Sequence, residues 1–227
     1  MSLNEARTGG GTGVAWPSND ERTTGLASWR CLWDRLGATV PSAEVCDDLL
    51  RRYGERHRAY HTRQHLNECL ALLDDARSLC VEPDEVAAAL WFHDAIYAPR
   101  RADNEVRSAD WLAHVSTAAG VDHARVARMH ALVMATCHDA MPVDQDAQVL
   151  VDIDLSILGA PIERFDQYEQ QIRREYRWVP MLIYRSKRAA ILAAFLARPR
   201  IYSTRRFFDR FETLARDNIL RSLSRLG

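Results

Sequence analysis

Apolar residues recur at helical spacing along almost the whole chain. The i, i+3, i+4 pattern predicts helices over about 26–37, 42–56, 62–80, 84–97, 104–119, 122–138, 145–158, 161–178, 180–198 and 204–225. Breaks between them fall at Gly37 to Pro41, Pro83, Pro99, Gly120, Pro142, Gly159 to Pro161 and Pro199, residues that end or redirect helices. Ser42 and Asp103 are candidate N-caps, because their side-chain oxygens can accept from free helical N–H groups. Pro180 either opens a helix or kinks a longer one. No stretch alternates as a strand would. The expectation is an all-α domain of about ten helices over residues 26–227, with the C-terminal helices packed on it. A polar, Gly/Thr-rich tail over residues 1–25 is expected to be mobile.

Polar residues break this pattern in three places. Val86 to Tyr97 reads VAAALWFHDAIY and is apolar or aromatic apart from His93 and Asp94. A helix apolar around most of its circumference is buried on most sides, where an isolated carboxylate is costly. Either the two side chains pair with each other or a metal resolves both. In QVLVDIDLSILG, residues 148–159, the stripe Leu150, Ile153, Asp154, Ile157, Leu158 puts Asp154 in the apolar face. Asp152 lies about 200° around the helix and is free to face elsewhere. Asp154 therefore needs a buried partner, which is either an arginine or a cation. His65 follows inward spacing with Cys69, Leu72 and Ala76. His57, His61 and His65, four apart, are either a surface row or a second donor set. Together His65, His93, Asp94 and Asp154 supply two imidazoles and two carboxylates, a suitable set for one divalent cation.

Composition narrows the classes. The 227 residues carry 47% apolar and 27% charged residues, with a formal net charge of −1. That balance argues against a general polyanion binder. The charge is uneven, however: residues 173–227 hold 14 Arg or Lys against 4 Asp or Glu. Lys187 is the sole lysine, so nearly all the positive charge is arginine. Five scattered cysteines with no C-x-x-C point to a reducing, cytoplasmic setting rather than a disulfide framework. Val86–Phe92 and Ala189–Ala197, the longest apolar runs, are far short of the ~20 residues of a membrane span. No hydrophobic leader stands out in the first 25 residues, and no membrane partner is expected.

The ordered series His65, His93-Asp94, Asp154 resembles the H…HD…D signature of the HD superfamily. The segments Tyr60 to Leu66, Trp91 to Tyr97, Asp103 to Ala109, Thr136 to His138, Asp152 to Gly159, Glu175-Tyr176 and Ile201 to Thr204 extend the similarity to bacterial predicted metal-dependent HD phosphohydrolases. It covers roughly residues 26–225. The resemblance implies an all-α HD domain around one divalent ion (Mn, Mg, Co, Ni, Zn or Fe) and hydrolysis of a phosphate ester or phosphoanhydride. A nucleotide or another small phosphorylated metabolite is the expected substrate. Two-metal HD phosphodiesterases carry further histidines. His130 and His138 leave that option open, although one metal is the expectation, with His130 structural and His114 and His123 on the surface.

A general acid must protonate a poor leaving oxygen. Glu105 is the first candidate and His61 the second, with Asp94 contributing from the metal. Glu105 also reads as a favourable negative charge at a helix N-terminus. His138, Arg63, Arg185 and Lys187 are candidates for substrate contact, together with Arg100 and Arg101, since guanidinium forks match phosphate oxygens. Two other classes compete: a catalytically silent HD-fold nucleotide sensor or scaffold, and behind it a nucleic-acid-binding module built on the basic C-terminal segment. Self-association is left open.

Overall fold

A computed structural model describes residues 16–17, 24–138 and 140–227. Among them the ordered elements are all helical: α1 (Leu26–Arg35), α2 (Ala43–Tyr53), α3 (Arg63–Ala76), α4 (Pro83–Phe92), α5 (Asn104–Ala118), α6 (His123–Met134), α7 (Gln145–Asp154), α8 (Ile162–Glu175), α9 (Met181–Ala197) and α10 (Arg205–Leu226). Short 3-10 turns extend α3, α6 and α7. Pro180 occupies the N-cap position of α9, so it starts a helix rather than kinking one.

α4 is the axis of the domain. Every residue from Glu85 to Phe92 is buried, as its all-round apolar pattern requires. Its alanines at 87, 88 and 89 let α1, α3, α5, α6 and α7 approach closely. Glu85 is the polar exception, held by Arg125 and Arg128 of α6 at 2.8 Å each. Trp29 and Trp33 of α1 and Trp91 of α4 pack edge-on, with centroids 5.4 and 5.5 Å apart. α7 passes into a 3-10 turn, Leu155–Gly159, that lies against α10. A Cβ on Gly159 would come within 2.6 Å of the Phe211 Cβ, so glycine is required for that close approach. Asn218 of α10 donates to the carbonyls of Leu158 and Ala160 at 2.9 Å. The end of α7 is thereby fixed in place.

Several expectations change. Neither Ser42 nor Asp103 caps a helix through its side chain, and Asp103 instead pairs with Arg101. Asp122, Asp144 and Thr204 cap α6, α7 and α10. The segment 1–25 lies largely outside the described residues. Its described part is not free: Trp16 packs edge-on against Phe211, and Thr24 is buried. No described helix is long and apolar enough to cross a membrane.

Candidate metal centre

The first departure from the predicted helices creates the site. The spacing predicts a helix through Tyr97, but α4 ends at Phe92, and His93 and Asp94 occupy the turn that follows. Carbonyls released at that end are claimed by the last residue of α2 and by the segment between α2 and α3. The Tyr53 hydroxyl donates to Trp91 O at 3.1 Å. The guanidinium of Arg58, itself buried, donates to Asp94 O at 2.6 Å, Ala95 O at 3.0 Å and His61 O at 3.2 Å. A turn so held aims both side chains inward, toward His65 in the first turn of α3 and Asp154 at the end of α7.

Four donors converge there. His65 Nε2 lies 3.1 Å from His93 Nε2, 3.1 Å from Asp154 Oδ1 and 3.5 Å from Asp94 Oδ2. His93 Nε2 lies 3.0 Å from Asp94 Oδ2 and 3.7 Å from Asp154 Oδ1. Two donors on one ion at about 2.1 Å sit about 3.0–3.4 Å apart, for octahedral and tetrahedral angles respectively. The protonation pattern also fits a cation. His93 Nδ1–H donates to Leu90 O at 2.8 Å, which turns Nε2 toward a carboxylate oxygen and another imidazole nitrogen. Acceptors facing acceptors repel unless positive charge lies between them. Without an ion, a proton supplies that charge: burial pushes the His93 imidazole toward neutrality, but Asp94 and Asp154 outweigh it and hold its pKa up to about 9, so a bound ion would displace a proton from Nε2. Burial raises the Asp94 and Asp154 carboxyls, while the surrounding histidines pull both below the usual carboxylate range. These residues suit a divalent ion.

Cys69, one turn beyond His65, is close to the same cluster: donor atoms of His65, Cys69, His93 and Asp154 all lie within 4.8 Å of one another, a set that does not include Asp94. Its Sγ is 3.7 Å from both nitrogens of the His65 ring, which puts it over the ring face rather than ahead of the Nε2 lone pair. Burial pushes the thiol pKa well up. Cys69→Ala is therefore expected to keep its metal content, with a modest loss of stability from the emptied packing site. Elemental analysis decides this, and a metal-free Cys69→Ala protein would make the thiolate a ligand.

Asp152 behaves otherwise than expected. It is fully buried, more so than Asp154. It faces α10, where its two oxygens accept from Ser203 N and Thr204 N at 2.7 Å each. Burial pushes its carboxyl up to about 6 against the pull of those N–H groups. Each carboxylate of the pair thus has its own buried partner, on opposite sides of α7. The second oxygen of Asp154 accepts from His138 Nε2 at 3.0 Å. His138 adopts a left-handed backbone, φ +58°, uncommon outside glycine, and Arg198 donates to its carbonyl at 2.9 Å. His138 thus orients Asp154 as well as lining the cleft where substrate contact is expected. His130 is remote: it is half-exposed and pairs with Asp110 at 3.1 Å.

A cleft opens onto the cluster in two lobes. One, of about 460 Å³, is walled by Tyr60, Tyr168, Tyr184, Ile172, Ile191 and Phe195. The other, of about 440 Å³, is polar and includes Asp94, Tyr97, Arg101 and Asn104. His61, Glu105, His138 and Asp154 line both. Lys187 lines the apolar lobe. Arg63 and Arg185 do not reach the cleft. Arg63 donates to the Thr24 hydroxyl at 3.4 Å, and Arg185 donates to Leu226 O at 2.7 Å near the end of α10. Arg188, not singled out from the sequence, lines the apolar lobe with its charge matched by Glu169.

Glu175, at the end of α8, enters the sequence reading only within the family resemblance, with no role assigned to it. Its side chain is buried, and Oε1 accepts from the N–H groups of Ala59, Tyr60 and His61 at 2.7, 2.8 and 3.1 Å. Oε2 lies 2.7 Å from His61 Nδ1 and accepts from the Tyr97 hydroxyl at 2.8 Å. The His61 ring stacks on Tyr97 with centroids 4.1 Å apart. Burial lowers the His61 pKa, but Asp94 and then Glu175 raise it to a net upward shift. Glu105, by contrast, forms no hydrogen bond or ion pair among the described residues.

This arrangement carries an acid-stability prediction. Burial raises the Glu175 carboxyl, but His61 and the backbone N–H groups outweigh that and hold it at about 2 against an ordinary 4.5. A depressed carboxyl stabilises the fold above its unfolded value, and the contribution is lost as pH falls from there toward the folded value. Between pH 4.5 and 2, metal-free wild type is expected to lose about 3 kcal/mol more stability than Glu175→Gln. Urea denaturation across that range is the check, and parallel profiles for the two proteins would contradict it.

No protein-family model, curated protein or solved structure matches the chain, so the reading of the site rests on its geometry and sequence order.

Proposed function

We propose that the chain is a metal-dependent phosphohydrolase of the HD type, cleaving a phosphate ester or phosphoanhydride of a nucleotide or another small phosphorylated metabolite. One observation carries this reading: two imidazole nitrogens lie 3.1 Å apart, and each lies 3.0–3.7 Å from a carboxylate oxygen of Asp94 and of Asp154, at the floor of a cleft. They come from three separate elements, in the order that resembles the HD signature. His65, His93, Asp94 and Asp154 are the residues that would hold one divalent ion. Bound there, such an ion supplies Lewis acidity toward water and toward a phosphoryl oxygen.

The remaining roles belong to the chain's own residues. His61 is the better general acid, ahead of Glu105. Glu175 fixes its Nδ1, which leaves Nε2 to give a proton to the leaving oxygen. His138 holds Asp154 in register. Lys187 at the cleft is suited to a phosphate oxygen, and the aromatic wall to the body of the substrate. Five cysteines, none in a disulfide, suit a reducing compartment such as the cytoplasm.

The basic C-terminal segment favours this reading over nucleic-acid binding. Arg188, Arg205, Arg216, Arg221 and Arg225 are each paired to a carboxylate, so these guanidiniums are tied into the fold, although only Glu169 and Asp166 come from outside the segment. The test is a metal-supplemented screen of nucleotides and other phosphorylated metabolites, with His93→Ala as control. Turnover by wild type and none by His93→Ala is the expected result. Nucleotide binding without turnover under every metal would favour the silent sensor instead.

A further inference from the structure

Most arginines of the described chain are tied to a carboxylate or a carbonyl. Arg56, Arg100, Arg174 and Arg177 are not: among the described residues, none of these side chains forms a hydrogen bond or an ion pair. All four are exposed, and all four line one depression of about 380 Å³. It lies apart from the cleft and is built by the loops after α2 and α4 and by the end of α8. Trp178 completes it. That ring is 47% exposed, and the Arg100 guanidinium sits 4.8 Å from its centroid.

The neighbouring acids do not neutralise this charge. Glu175 is part of the wall, but its carboxylate is buried and taken up by three backbone N–H groups, His61 and Tyr97. Glu55 pairs with Arg58. His57 is oriented by a 2.7 Å contact with Tyr97 O and adds no negative charge. Four like charges around one concavity repel each other, and a multiply charged anion relieves that repulsion. Guanidinium forks pair with phosphate oxygens two at a time, and a hollow of this size suits a small ligand better than a flat polymer surface.

We infer that this depression is a second ligand site, separate from the cleft, that binds a chain of phosphates such as that of a nucleoside triphosphate or inorganic tripolyphosphate. Trp178 offers an aromatic face for a base where one is present. The inference concerns binding alone and does not need the cleft to hydrolyse anything.

Calorimetry on the full chain without divalent metal tests it, with ATP and inorganic tripolyphosphate as probes. Wild type and His93→Ala should bind tripolyphosphate equally, since the cleft is not involved. The double variant Arg174→Glu/Arg177→Glu should bind at least about tenfold more weakly. Arg174→Gln/Arg177→Gln, which adds no repulsion, should fall between. These positions are exposed, and a thermal melt of each variant confirms its fold. Weaker binding of ATP alone by Trp178→Ala identifies a nucleotide site. Equal binding of both probes there identifies recognition of the phosphate chain by itself. No binding by wild type, unchanged binding by the Glu pair, or binding lost in His93→Ala would overturn the inference.

Discussion

Asp154→Asn is expected to weaken divalent-metal binding by more than about 100-fold, with hydrolysis falling in parallel. Partners that merely orient a ligand are worth about 10–100-fold in affinity, and Asp154 is a donor itself. The change keeps the size of the side chain but removes the negative charge that faces His65 and His93. Asp152→Asn is the matched control two residues away. Its carboxylate faces α10, so metal stoichiometry should stay near that of wild type although the start of α10 is weakened. Metal titration of both variants decides the matter. Normal affinity in Asp154→Asn, or the reverse order of the two, would mean that the wrong carboxylate has been assigned to the ion.

Arg58→Ala should lower stability by about 3 kcal/mol and loosen the metal site with it. The guanidinium is buried and serves three carbonyls, two of them in the turn that carries His93 and Asp94. Truncation leaves those carbonyls without their donor, and each buried polar group left unpaired costs about 1–3 kcal/mol. It also removes the side chain packed near the rings of Tyr53 and Tyr97. Urea denaturation and metal titration read the two effects. A variant as stable as wild type would mean that the turn after α4 holds itself.

How much of this was legible in the sequence follows from the range of each interaction. The helices were legible because periodicity and Pro/Gly breaks are local: the predicted core of each of the ten overlaps an observed helix. The polar intrusions at 65, 93, 94 and 154 were legible because burial could be read from their apolar neighbours. The end of α4 at Phe92 was not, since the carbonyls of the turn that follows are taken by Arg58, more than thirty residues earlier. Asp152 looked free because its partner, the start of α10, lies fifty residues away on the other side of α7. Arg63 and Arg185 illustrate a different limit. Long cationic side chains reach in many directions, and spacing does not say which carbonyl or hydroxyl each will find. Glu175 stood out only through the family resemblance, and its role was not legible because its three N–H partners belong to a loop with no period to read.

The central claim is that His65, His93, Asp94 and Asp154 hold one divalent ion. Elemental analysis of wild type and His93→Ala, each reloaded with a divalent transition metal and dialysed, tests it most directly. The expected result is about one ion per chain in wild type and close to none in His93→Ala. A metal-free wild type, or equal occupancy in the two proteins, would contradict it.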